Sequence, residues 1–192
     1  MDAASVALLF DRAAHFSKVV SAFGGSGCAW SYTFPDGETH RYIINGIKSP
    51  DQLEHEVLTL AIWLWSLKDY LKGRAATLGR DPQDVEAYAS GDPSLALSAD
   101  IANAAKHGKL TNSRSGKWPK LGKLRYEIPQ EAMRSVTFRA FEVETDVARP
   151  DLVTFELPIL DSNGLEIGDA LQLMTRALSA WERFNKKLER AD

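Results

Sequence analysis

Between Asp92 and Arg125 the chain sets Asp100, Asn103, Lys106 and His107 on an alanine-rich stretch that empties into a strongly basic one. On a helix turning 100° per residue, Asp100, Asn103 and His107 fall within roughly 60° of one another. A carboxylate, an amide and an imidazole on one stripe suit proton transfer, because imidazole titrates near neutrality and a neighbouring carboxylate can orient it. Lys106 points to another side. The stripe has two readings. Leu97, Ile101 and Ala104 flank it and Leu95, Ala99 and Ala102 occupy other faces, so it is partly buried and needs hydrogen-bond partners. Alternatively it is the solvated face of an amphipathic helix.

The segment after the helix is cationic. From Ile101 to Tyr126 there are seven Lys or Arg and no acidic residue; with a net charge of −3 overall, the remainder carries −10 (−3 minus 7). Lys109, Arg114, Lys117, Lys120, Lys123 and Arg125 are spaced among Gly, Ser and Pro, so residues 108–125 read as a basic loop insertion without periodicity, of a length that is usually functional or disordered. Lysine and arginine neutralise phosphates and Trp118 can stack on an exposed base, which makes RNA or another polyanion the sensible ligand. The other reading is a solvated loop whose cations balance the acidic remainder.

Both features need a scaffold. Asp92 as N-cap, Pro93 at the first position and Gly108 as a left-handed stop bound the helix that carries the stripe. Upstream, Leu9, Ala13, Phe16 and Val20 mark a first helix over about 3–22, broken by Gly24-Gly25-Ser26-Gly27. Trp30, Tyr32 and Phe34 alternate, Pro35-Asp36-Gly37 turns, and His40, Tyr42 and Ile44 alternate again, a β-hairpin pattern. Its aromatics are either a base-stacking platform or a face packed on the helices. Ser49 and Gln52 form a capping box for a second helix with Pro50 at its start, Leu53, Val57, Leu60, Leu64, Leu67 and Leu71 on one face, and Gly73 as its stop. Asp69 continues the apolar line of Leu58, Ile62 and Trp65. It is therefore either an orienting partner for His107 or a helix-end residue reaching water.

A short connector from Asp81 to Gly91 leads into the third helix. Beyond the loop, Val136–Glu144 and Leu152–Leu157 read as a second hairpin turning at Arg149, Pro150 and Asp151. A last helix spans about Ile167 to Glu189. The expectation is a single domain over 1–192, α+β but mostly α, with a four-helix bundle-like core and two inserted β-hairpins. A length of 192 residues with 44% hydrophobic content fits one sizeable core.

Cys28 is the only cysteine, which excludes an internal disulfide framework and fits a reducing, cytoplasmic setting. Histidines at 15, 40, 55 and 107 lack paired ligand spacing, so neither a metal nor a cofactor is expected. The N-terminus has no basic leader, and the apolar run at Ile62–Trp65 is too short to span a bilayer. Surplus aromatic surface on a helical bundle points to a homodimer.

The stretch Ala99-Asp100-Ile101-Ala102-Asn103-Ala104-Ala105-Lys106-His107, after a Trp-rich helix ending in Lys68-Asp69, resembles uncharacterised bacterial proteins distantly similar to HEPN domains, over about Ile43 to Leu110. The resemblance implies a helical bundle acting as a metal-independent ribonuclease or RNA-directed effector, in phage defence or a toxin system, usually as a dimer that joins two Arg-x4-6-His motifs. His107 takes the histidine place. Ile101 to Asn103 stand four to six residues upstream, where no arginine lies, so Lys106, Asn103 or a loop arginine would substitute. On this reading His107 is the general base toward a 2′-hydroxyl, Asp100 or Asp69 orients it, Lys106 and Arg114 stabilise phosphorane charge and Asn103 positions a phosphate oxygen. Two alternatives stand beside it: a non-catalytic nucleic-acid or nucleotide binding module, and a structural or protein-interaction subunit.

Overall fold

Apolar residues at helical spacing fold as helices wherever their stripe is long enough to bury. The computed structural model describes residues 2–190. In chain order it contains α1 (Ala3–Ser21), β1 (Gly24–Thr33), β2 (Thr39–Ile47), α2 (Pro50–Thr77), α3 (Gln83–Gly91), α4 (Pro93–His107), β3 (Lys120–Leu121), β4 (Arg125–Glu127), β5 (Met133–Arg139), β6 (Glu142–Val147), β7 (Thr154–Glu156), β8 (Pro158–Leu160), β9 (Glu166–Asp169) and α5 (Ala170–Arg190). Helix outweighs strand by about two to one, which makes the chain α+β. The chain separates into two compact units, each assembled from distant segments.

The helical unit takes the chain up to Ser21, His55–Gly122 and Leu157 onward. Here α5 packs on α1 and α4, and α3 packs on α4. The α2 stripe of Val57, Leu60, Leu64, Leu67 and Leu71 is buried throughout, as is Trp181 of α5. Gly73 does not stop α2: the helix continues to Thr77, and Gly79 at φ +69° comes after it. A mid-helix glycine costs about 1 kcal/mol, which the burial of Ala75, at 0% exposure, helps to offset. The last helix begins at Ala170, three residues later than its apolar period suggests. Asp169 sets that start, since one carboxylate oxygen accepts from the Gln172 N–H at 2.9 Å and the other from the Leu157 N–H at 2.8 Å. Ile167 is thereby left in β9, which pairs with β8, while β8 also pairs with β3.

The second unit holds residues 22–54 and 123–156. Its four-stranded sheet runs β1-β2-β6-β5. The first hairpin forms as expected, and its register sets Trp30 opposite Tyr42 and Tyr32 opposite His40. The glycine run lies inside β1. Gly27 sits at φ +92° in a bulge, and a Cβ there would lie 2.2 Å from the Ile44 carbonyl oxygen, so only glycine permits this approach.

The second hairpin differs from its expectation. Val136–Glu144 is not one strand: the chain reverses at Ala140 and Phe141, so that β5 and β6 pair with each other. Thr154–Glu156 pairs instead with Arg125–Glu127. The two hairpins are also not separate insertions, because β2 and β6 join in parallel from Arg41 opposite Glu142 to Asn45 opposite Asp146. In the same unit Phe23 stacks on Phe155 at 4.4 Å between centroids.

Candidate nucleic-acid interface

Helix α4 is built as its ends foretell. The Asp92 carboxylate accepts from the N–H groups of Ser94 at 2.9 Å and Leu95 at 3.1 Å, and Gly108 closes the helix at φ +70°. Leu95, Ala99 and Ala102 are buried. The polar stripe is graded along the helix: Asp100 is completely buried, Asn103 half-buried, and Lys106 and His107 exposed.

Burying a carboxylate requires donors, and the loop after α4 supplies them. Oδ2 of Asp100 accepts from the Ser113 hydroxyl at 2.7 Å, the Ser115 hydroxyl at 2.6 Å and the Ser115 N–H at 2.9 Å. Oδ1 accepts from the Arg114 N–H at 2.7 Å. Both oxygens are thus engaged by the loop, and Asp100 serves as its anchor. The serine hydroxyls pass the order onward, since Ser115 Oγ accepts from the Lys117 N–H at 3.2 Å and Ser113 Oγ from the Trp118 N–H at 3.3 Å. The basic segment is also not irregular up to Tyr126, because Lys120–Leu121 joins β8 as a strand.

Trp118 ends this chain of bonds. It has φ +52°, the only non-glycine among the described residues in the left-handed region, a conformation that a bulky side chain adopts at a cost of about 1–2 kcal/mol. The residue is 43% exposed. Lys117 and Lys120 beside it are exposed, as are Lys106 and Lys109 at the end of α4. The loop therefore holds an aromatic face and several ammonium groups toward solvent.

Arg114 points elsewhere. Its guanidinium donates to the Ser90 hydroxyl and, at 3.2 Å, to Glu86, and its Cζ lies 4.8 Å from the centroid of the Trp65 ring. Lys68 lies 4.5 Å from the same ring and 2.8 Å from Glu86, and Lys72 lies 3.2 Å from Glu86. Burial opposes ionisation of Glu86, but hydrogen bonds from Lys68 and Lys72, together with their charges, outweigh it and hold the carboxyl at about 2. Asp69 is the surface member of this group, with its side chain 74% exposed and 3.6 Å from Lys68. Asp69 reaches water, as the second reading has it, but from within the helix, since α2 runs on to Thr77.

The remaining basic residues belong to the other unit. Lys123 is exposed, and Arg125 pairs with Glu156 at 3.1 Å. Nearby, burial raises the Cys28 thiol, although a hydrogen bond with Tyr126 pulls the other way; burial and then Cys28 push Tyr126 up to about 12. In the sheet, Trp30 stacks on Tyr42 at 5.5 Å, yet Trp30, Tyr32, Phe138 and Phe141 remain exposed, so these aromatics do not read as core. Sequence reasoning overlooked Ser113, Ser115, Glu86 and Trp65. The Ser-x-Ser spacing before Gly116 was the available signal, since serines in turns are natural donors to a carboxylate.

Among the described residues no group of three His, Cys, Asp or Glu side chains is placed to hold a metal ion, and no helix is long and apolar enough to cross a membrane. Compared with known proteins, the chain matches no family model, no curated protein and no solved structure.

Proposed function

We propose that this chain binds single-stranded nucleic acid, with Trp118 stacking on a base and Lys106, Lys109, Lys117 and Lys120 neutralising phosphates. The observation that carries this reading is Trp118 itself: a bulky residue in left-handed backbone, exposed, and fixed through Ser113 to a buried carboxylate. Strain of this kind is kept where the surrounding structure over-determines it, as at ligand clamps. The helical unit serves as a bundle-like platform for the loop. The test is fluorescence anisotropy of a labelled oligonucleotide with the wild type and Trp118→Ala: binding that weakens steeply with salt and drops in the variant supports the reading, while affinity that ignores both counts against it.

A second reading is a HEPN-like metal-independent ribonuclease acting as an RNA-directed effector, favoured by the exposure of His107 and Lys106 where α4 runs into the loop. His107 would be the general base, with Lys106 and Asn103 on the phosphate, two copies of the chain forming the active dimer. In this version Asp100 acts through the loop it anchors rather than on the imidazole. RNA cleavage in EDTA that disappears in His107→Ala would move the function to this reading.

A further inference from the structure

Beside the anchored loop lies a cleft of about 320 Å³ that shares only Lys117 with the surface proposed around Trp118. Pro93, Leu97 and Ile167 give it an apolar bed, and Ser90, Arg114, Ser115 and Lys117 give it polar groups. Its size and its mixture of apolar floor with few polar groups are those of a small-molecule site rather than a groove for a polymer. Among the described residues no carboxylate lines it, so its polar chemistry favours an anion.

The polar groups are held in place by the fold. Ser115 is fixed on Asp100, and Arg114 is fixed between Ser90 and Glu86 and over Trp65, so little ordering remains to be done on binding. Glu86 and Asp69 face three cations, Lys68, Lys72 and Arg114, which leaves one positive charge in excess. In the lining itself the cations are two, Arg114 and Lys117; Asp161, whose carboxyl is lowered by hydrogen bonds from Leu165 and Asn163 and less by Lys117, lies outside it. Two cations match a phosphate monoester, which carries close to two negative charges at neutral pH, better than a diester, which carries one.

We propose that this cleft seats the terminal nucleotide of a bound strand, its base or sugar on the apolar bed and its terminal phosphate monoester between Arg114 and Lys117. The inference rests on the reading of the adjoining loop as a nucleic-acid surface, because Lys117 lines the cleft and neighbours Trp118.

The experiment compares labelled oligonucleotides carrying a phosphate at the 5′ end, at the 3′ end or at neither, with adenosine monophosphate titrated separately by calorimetry. One phosphorylated end is expected to bind roughly tenfold tighter than the free hydroxyl form. That advantage disappears in Lys117→Ala and in Gly91→Leu. Gly91 lines the cleft, and a Cβ added there meets no atom within 4 Å, so a leucine adds bulk at the cleft lining without disturbing the helix. Equal affinity for all three oligonucleotides, with binding still dependent on Trp118, overturns the cleft and leaves the loop reading standing. Absence of any oligonucleotide binding sinks the loop reading. The seating of a strand end falls with it, and the monophosphate decides only whether the cleft takes a free nucleotide: binding that Gly91→Leu abolishes supports such a pocket, and no binding overturns the cleft altogether.

Discussion

Ser115 donates twice to the same carboxylate oxygen of Asp100, from its hydroxyl at 2.6 Å and its backbone N–H at 2.9 Å. The most chemical residue of α4 is thereby spent on holding a loop, and the loop on holding Trp118. Removing the carboxylate leaves two hydroxyls and two N–H groups without their acceptor. Asp100→Ala is expected to lose roughly 3 kcal/mol of stability, read as a lower urea midpoint, and to weaken polyanion binding although Asp100 touches no ligand. Unchanged stability would mean that the loop is not anchored here.

Trp118 separates stability from function. Glycine adopts φ +52° freely, so Trp118→Gly should relieve about 1 kcal/mol of backbone strain, while removing a ring whose stacking on a base is worth about 1–3 kcal/mol. The expected pair of results is equal or higher thermal stability, once the lost ring contacts are counted, and oligonucleotide binding weaker by roughly fivefold to a hundredfold. Lower stability with unchanged affinity would assign Trp118 to packing.

Glu86 gives the molecule an acid limit. Its carboxyl is held at about 2 against an ordinary value of 4.5, so its contribution is present above pH 4.5 and is lost as pH falls toward 2. The shift corresponds to roughly 3 kcal/mol at most. Glu86→Gln should flatten the fall in stability over that window, measured by denaturant unfolding at a series of pH values. It should also release Arg114, so that affinity changes with no change at Trp118.

Cys28 is expected to be a sluggish nucleophile. Burial holds its thiol above the ordinary range, and the hydrogen bond with Tyr126 is what limits the rise. Tyr126→Phe should therefore push the thiol higher still and slow alkylation at mildly alkaline pH. Faster alkylation would show that the ring shields the sulfur instead.

Local signals were legible in the chain and distant ones were not. Asp92, Pro93 and Gly108 mark both ends of α4 because capping is decided within a turn. The burial of Asp100 depends on Ser113 and Ser115, thirteen and fifteen residues later, and no periodicity reports that pairing. The same holds for the sheet: each strand of the first hairpin shows in alternation, but the parallel match of Tyr42 with Val143 joins residues about a hundred positions apart. Gly73 looked like a stop because the burial of Ala75 beyond it is tertiary. Asp69 had two readings because an apolar line says which face of α2 a residue shares but not whether a neighbouring element covers that face at position 69, where the side chain is 74% exposed.

The most direct measurement is the salt dependence of single-stranded oligonucleotide binding by the wild type, with its Lys117→Ala/Lys120→Ala variant alongside. Four lysines on phosphates predict a slope of log K against log salt of about −3, falling to about −1.4 when two are removed. A slope near zero, or one that the double variant leaves unchanged, would contradict the assignment of the basic loop as the binding surface.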